Sequence, residues 1–86
     1  QDWKVFETNF NQVHEAFLKK LIQTHPSLSN GDLKLAAYLR MNLSSKEIAH
    51  LLNITVRSVE LKRYRLRKKL EITNDENLSD YMMKFS

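Results

Sequence analysis

Residues 43–70, LSSKEIAHLLNITVRSVELKRYRLRKKL, decide the fold of this chain. Ser44 stands three residues before Glu47, and this spacing predicts a capping box, in which each side chain satisfies a free backbone N–H where a helix begins. Apolar residues then recur at helical spacing, namely Ile48, Leu51 and Leu52. The first half of the stretch therefore predicts a short amphipathic helix.

The second half predicts a tight turn and another helix. Asn53 tolerates the left-handed conformation that ends many helices, and Thr55 can cap the helix that follows. The apolar residues of this helix form one narrow stripe: Val59, Leu66 and Leu70. The opposite face carries Arg57, Glu60, Leu61, Tyr64 and Lys68. Two helices joined by a short turn, the second apolar on one side and basic on the other, are typical of a helix-turn-helix.

Positive charge is concentrated on the second helix. Residues 57–69 contain seven basic residues and one acid, a net charge of +6, whereas the whole chain has 14 Lys and Arg against 10 Asp and Glu. The remaining residues together carry −2, so the positive charge is local, as expected of a surface that binds a polyanion. A charge run alone usually indicates a solvated face, but this one lies on a helix-turn-helix and therefore favours DNA binding.

Residues 28–72 resemble the LuxR-type (GerE-type) helix-turn-helix domain and align with its pattern without a gap. The best-matched positions are Lys46, Glu47, Ile48, Ala49, Ile54, Thr55, Ser58, Val59, Lys69 and Leu70. The sequence departs from the pattern at Asn42 and Glu71, where the family usually has Gly, at Glu60, where it has Lys, and at Lys62, where it has His. We expect Asn42 to replace Gly without consequence, and Glu71 to give a different exit from its helix.

The resemblance implies a sequence-specific regulator of transcription that binds double-stranded DNA, with a recognition helix over about residues 55–70 in the major groove. By position it implies that Glu60, Leu61 and Tyr64 face the bases, and Arg57 lies on the same face. Candidate phosphate contacts are the cationic and capping residues Lys46, Thr55, Lys62, Arg65, Lys68 and Lys69. Arg63 lies beside the apolar stripe and is expected to serve partly in packing.

Glu60 is the one acid of the basic helix, and the sequence leaves two roles open for it. It can pair with Arg57 or Tyr64 along its own helix, which would be a structural role. Alternatively, it can accept a hydrogen bond from the amino group of a cytosine in the major groove.

The composition predicts a small all-α protein. The chain has 86 residues with one Gly, one Pro and no Cys, which excludes a disulfide scaffold and a Cys-based zinc site. The expected fold is a compact helical bundle, with a LuxR-like four-helix DNA-binding domain over residues 27–86 and an amphipathic helix over residues 1–26 packed on it. No apolar stretch is long enough to cross a bilayer, and we expect a cytoplasmic protein without membrane contact.

Three helices are predicted outside the central stretch. The first ends before Pro26, and its apolar stripe comprises Trp3, Phe6, Phe10, Val13, Phe17, Leu18, Leu21 and Ile22. This stripe is expected to cover the core, with a coiled-coil seam as the lesser alternative. Ser29 and Asp32 cap a buried helix that runs to about Met41. The last helix follows residues 73–76 and aligns Leu78, Tyr81, Met82 and Phe85.

Nothing in the sequence predicts catalysis. The chain lacks a glycine-rich phosphate loop and a nucleophile elbow. Its three His residues are scattered, and His50 with Glu47 lacks the further ligands that a metal site needs. We therefore expect no enzyme activity, no metal and no cofactor.

The resemblance also implies a larger parent protein. This domain would be the C-terminal output domain of a bacterial sensory regulator, as in two-component systems and in large regulators of the Bacteroidetes group. Such regulators read paired half-sites, so we expect a homodimer on DNA and a monomer or weak dimer for these residues alone. Two alternatives stay open: a promoter-reading domain of a sigma factor, and a helical protein-interaction module that docks an acidic partner. Salt-dependent binding to duplex DNA separates that module from the DNA-binding classes.

Overall fold

The computed structural model describes residues 15–73 and 75–85, and this part of the chain is helical with no strand. Helix α1 covers residues 15–24 of the described chain. The helices that follow are α2 (Asn30–Arg40), α3 (Ser45–Leu52), α4 (Val56–Leu70) and α5 (Leu78–Met83). The predicted all-α fold class is confirmed. Part of the first predicted stripe lies outside the described residues: Trp3, Phe6, Phe10 and Val13.

Helices α2 and α3 begin with the capping boxes that the sequence predicts. The Ser29 hydroxyl accepts a hydrogen bond from the N–H of Asp32, and the Asp32 carboxylate accepts one from the N–H of Ser29, at 3.1 and 2.9 Å. Ser44 and Glu47 repeat this arrangement at 3.1 and 2.8 Å. Helix α2 ends at Arg40, one residue before the predicted end.

The core is built around α2, which buries five consecutive residues, 35–39. Helices α4 and α5 pack against α2, and α3 packs against α4. The predicted stripe of α4 is buried, since Val59, Leu66 and Leu70 are 0%, 0% and 3% exposed. From the C-terminal end, Leu78, Met82 and Phe85 are also buried, which confirms the face predicted for the last helix.

Helix α1 covers the core on the side of α5. Phe17 and Leu21 are fully buried, and the rings of Phe17 and Phe85 meet edge to face at 6.3 Å. Beyond the end of α1, His25 Nε2 and the Tyr81 hydroxyl lie 2.9 Å apart and share a hydrogen bond. Ile22 is 45% exposed although the periodicity groups it with the buried stripe, so the contact face of α1 is narrower than predicted.

Among the described residues, three other than Gly have a left-handed backbone: Asn42, Asn53 and Glu71, with φ of 60°, 57° and 57°. Both Asn residues behave as expected. The prediction that Glu71 gives a different helix exit is wrong, because Glu71 adopts the conformation a Gly would have and its N–H donates to the carbonyl groups of Arg67 and Lys68. These hydrogen bonds satisfy the helix end, at a steric cost of roughly 1–2 kcal/mol for a residue with a Cβ.

Leu51 is a second correction. The sequence groups it with Ile48 as an apolar residue of α3, but Leu51 is 45% exposed whereas Ile48 is fully buried. Helix α3 has only eight residues and packs against α4, and Leu52 rather than Leu51 packs against the core beside Ile48. Leu51 lines an open depression of about 440 Å³, whose other lining residues are Leu43, Lys46, Glu47 and His50.

Candidate nucleic-acid interface

A three-residue turn fixes the angle between α3 and α4. Asn53 has the left-handed conformation, which lets the N–H of Ile54 donate to the carbonyl of Ala49 at 3.0 Å. Ile54 is half-buried against the core, and Ala49 is 5% exposed, small enough for close approach of the two helices. The predicted stop at Asn53 is confirmed, and the two helices are held as one unit.

Thr55 caps the N-terminus of α4, as the sequence predicts. Its hydroxyl accepts a hydrogen bond from the N–H of Ser58 at 3.0 Å and donates one to the Ser58 hydroxyl at 2.9 Å. Thr55 itself is exposed, so its side chain lies at the surface where the first turn of α4 begins. The phosphate contact expected of Thr55 stays a prediction.

The outward face of α4 carries four exposed side chains in one line. Arg57, Leu61, Tyr64 and Lys68 are spaced at i, i+4, i+7 and i+11, which places them on the same side of a helix. Leu61 and Tyr64 are 48% and 53% exposed, although both are large and mainly apolar. The Lys68 ammonium lies 5.2 Å from the centre of the Tyr64 ring, a cation–π contact that orders both side chains. The structure thus brings together four of the residues that the sequence analysis predicts to contact DNA.

Two basic residues of α4 are occupied with holding the fold. Arg67 Nη1 donates to the carbonyl groups of Thr73 and Glu76, at 2.7 and 2.6 Å, and so secures the loop between α4 and α5. Lys69 Nζ lies 2.5 Å from an Asp32 carboxylate oxygen at the start of α2. The structure therefore turns Lys69 away from the outward face, and the phosphate contact predicted for it requires this ion pair to open.

The other predicted contacts lie at the surface. Lys46, Lys62 and Arg65 are exposed, and none of them forms an ion pair or hydrogen bond with its side chain within residues 15–73 and 75–85. Lys46 lies on the first turn of α3, beside the depression that Leu51 lines. Arg63 is half-buried, as its place beside the apolar stripe predicts.

Glu60 is exposed on α4, and its carboxylate has no ion-pair or hydrogen-bond partner among the residues that the structure describes. The structural alternative of pairing with Arg57 or Tyr64 is therefore not formed in the described chain. The spacing in the sequence permits both a paired and an unpaired Glu60, so it does not decide between them.

Two features of other protein classes, a metal-binding cluster and a membrane-spanning helix, are absent from the described part of the chain. It contains no group of three or more His, Cys, Asp or Glu residues arranged to hold a metal ion. Within the same residues, no helix has the length and apolar character required to span a bilayer.

The comparisons with known proteins agree with this geometry. Residues 26–82, about two-thirds of the chain, match the family described as "Bacterial regulatory proteins, luxR family". The chain belongs to the LuxR family of bacterial regulatory proteins. No curated protein and no solved structure matched the chain.

The LuxR-family match extends from Pro26 to Met82 and includes the complete α3–turn–α4 unit. LuxR-family domains of this kind are DNA-binding regulators of transcription and not enzymes, and membership of the family implies double-stranded DNA as the partner. Helix α1 precedes the matched residues, although Phe17 and Leu21 belong to the same core.

Proposed function

We propose that this protein reads specific DNA sequences as the output domain of a bacterial transcription regulator, with α4 lying in the major groove. The line formed by Arg57, Leu61, Tyr64 and Lys68, opposite a fully buried stripe, carries this proposal. Helix α4 has 15 residues, which gives a length of about 22 Å at 1.5 Å per residue. That is enough to follow a groove about 12 Å wide and present several side chains to base edges.

The roles divide according to where each side chain lies. In this proposal Arg57, Glu60, Leu61 and Tyr64 face the bases, because they lie on or beside the outward line of α4. The phosphate contacts surround them: Lys46, Thr55, Lys62, Arg65 and Lys68, and also Lys69 when it leaves Asp32. Cationic and capping groups at this perimeter hold the helix in register but carry no sequence information.

The proposal extends to how the domain is used. Residues 27–86 are the DNA-reading unit, and residues 1–26 are an amphipathic helix packed on it. The regulator works in the cytoplasm, where bacterial DNA lies. Two copies bind paired half-sites about one helical turn apart. Met83, 44% exposed on α5, is a candidate for the contact between copies. Analytical ultracentrifugation with and without duplex DNA tests this pairing.

Selection from random duplex DNA with the purified chain, repeated at two salt concentrations, tests the function itself. We expect one enriched sequence and an affinity that falls steeply with salt, because cationic side chains release counterions from the phosphates. Salt-dependent binding without enrichment would indicate a domain that does not read sequence. Failure to bind DNA at either salt concentration would support the protein-interaction alternative.

A further inference from the structure

Arg57 and Glu60 are neighbours near the N-terminal end of α4, on the face proposed to bind DNA. They are three residues apart on the exposed side of the first two turns of α4, and they have opposite charges. This spacing allows an ion pair along the helix. Within the described residues, however, neither side chain has an ion-pair or hydrogen-bond partner. One donor group and one acceptor group therefore project together from the same part of the recognition helix.

Tyr64, the other neighbour able to pair with Glu60, forms no hydrogen bond with it in the described chain. Tyr64 lies one turn further along α4, and its ring is covered by the Lys68 ammonium at 5.2 Å. The positive charge around Glu60 is high, since residues 57–69 carry a net charge of +6 including Glu60 itself. A carboxylate in this setting can approach DNA because the surrounding cations offset its repulsion by the phosphates.

We infer that Arg57 and Glu60 together read a single G·C base pair. The inference rests on the proposed function and specifies its substrate. Guanine presents two acceptors side by side in the major groove, N7 and O6, which fit the two parallel N–H groups of the Arg57 guanidinium. Cytosine presents the N4 amino group, whose donor fits the Glu60 carboxylate.

The other base pairs fit this donor–acceptor set less well. An A·T pair presents one acceptor and one donor on adenine, and the O4 acceptor of thymine would face the Glu60 carboxylate. A reversed C·G pair would exchange the positions of donor and acceptor, so that Glu60 meets the guanine acceptors. The N-terminal residues of a recognition helix are those that contact base edges in helix-turn-helix proteins, and Arg57 and Glu60 lie there.

Competition with variants of the selected operator, changed one base pair at a time, tests the inference. The chains compared are wild type, Glu60→Gln, Arg57→Gln and the double variant, with Asp80→Asn, a change at an exposed acid on α5, as the matched control. We expect wild type to prefer G·C at one position of each half-site by roughly 5- to 150-fold, the range of one good base contact. Both single variants should lose preference at that same position, and the double variant should lose little more. Asp80→Asn should keep the preference there.

Three outcomes would overturn the inference. Tighter binding of Glu60→Gln to every sequence with unchanged discrimination would mean that Glu60 only repels DNA. Loss of preference at two different positions would mean that the two residues act separately. A wild-type chain that enriches no sequence would overturn the proposed function and the inference together, which distinguishes this failure from the others. Thermal unfolding of each variant verifies that the fold is intact, as expected for exposed residues.

Discussion

Lys69 Nζ lies 2.5 Å from the Asp32 carboxylate, and this ion pair joins the last turn of α4 to the first turn of α2. The two residues are 37 positions apart in the sequence. Asp32 also accepts the N–H of Ser29 in the capping box, so a single carboxylate starts the central helix and anchors the end of the recognition helix.

The first prediction concerns the pH dependence of stability. Burial by itself raises the pKa of Asp32, but hydrogen bonds with Lys69 and Ser29 outweigh it and lower the pKa below the ordinary value of 3.8. A lowered pKa in the folded state adds stability above the unfolded-state pKa of about 3.9, and this stability is lost as the pH falls through the folded-state pKa. Below about pH 5, the free energy of unfolding should therefore decrease more in wild type than in Asp32→Asn. Urea unfolding of both chains between pH 7 and pH 3 measures this difference. If the free energy of unfolding falls equally with pH in both chains, the lowered pKa of Asp32 is contradicted.

The second prediction concerns the two faces of α4. Leu66 is fully buried, so Leu66→Ala should lower the free energy of unfolding by roughly 2–5 kcal/mol, a large part of what a domain of this size has. Leu61 is 48% exposed, and Leu61→Ala should change stability by less than about 0.5 kcal/mol. Urea unfolding of both variants compares them directly. A larger loss in Leu61→Ala would mean that the outward face is assigned to the wrong side.

The third prediction separates two arginines on the same helix. Arg67 donates to two loop carbonyl groups, so Arg67→Ala should lower the free energy of unfolding by about 1.5–3 kcal/mol. Arg65 is exposed and without a side-chain partner in the described chain, so Arg65→Ala should leave stability nearly unchanged. For the salt dependence of DNA binding, Arg65→Ala should have the larger effect of the two variants. Arg65→Ala should reduce the log–log salt slope by up to about 0.9, the value for one phosphate, whereas Arg67→Ala should reduce it little.

Fluorescence titration of a labelled duplex at several salt concentrations measures these slopes. If Arg65→Ala and Arg67→Ala reduce the log–log salt slope equally, Arg67 also contacts the DNA. An unchanged slope in Arg65→Ala would remove Arg65 from the phosphate contacts.

The fourth prediction concerns the end of α4. Glu71 has a φ of 57°, a conformation that is strained for a residue with a Cβ. Glu71→Gly should raise the free energy of unfolding by about 0.5–1 kcal/mol, since the relief of strain exceeds the greater backbone entropy of Gly in the unfolded chain. Asn53 has the same φ, but Asn tolerates it, so Asn53→Gly is the matched control with a smaller gain. Equal changes in both variants, measured by urea unfolding, would refute the explanation by strain.

Features that depend on neighbours in the sequence could be predicted well. The caps at Ser29, Ser44 and Thr55 each act within three residues, and the structure contains all three. The burial of Val59 and Leu66 follows from helical periodicity, because fifteen residues of α4 give a clear apolar stripe. These local signals are enough to predict the helix-turn-helix.

Features that depend on distant contacts could not be predicted. The sequence offers seven basic residues between positions 57 and 69, and nothing local shows that Arg67 holds a loop while Lys69 meets Asp32. The exposure of Leu51 likewise depends on how α3 meets α4. For Glu71, backbone propensity favours another conformation, and the hydrogen bonds at the helix end override it.

The contact between α1 and α5 has a mechanical consequence. These two elements lie side by side, joined through His25 with Tyr81 and Phe17 with Phe85, so both ends of the described chain belong to the same half of the domain. Helix α4 packs with α3 and α2. A pulling force applied between residues 15 and 85 would load the α1–α5 contact directly. A dye or surface tether attached at either of these ends would leave the outward line of α4 open to DNA.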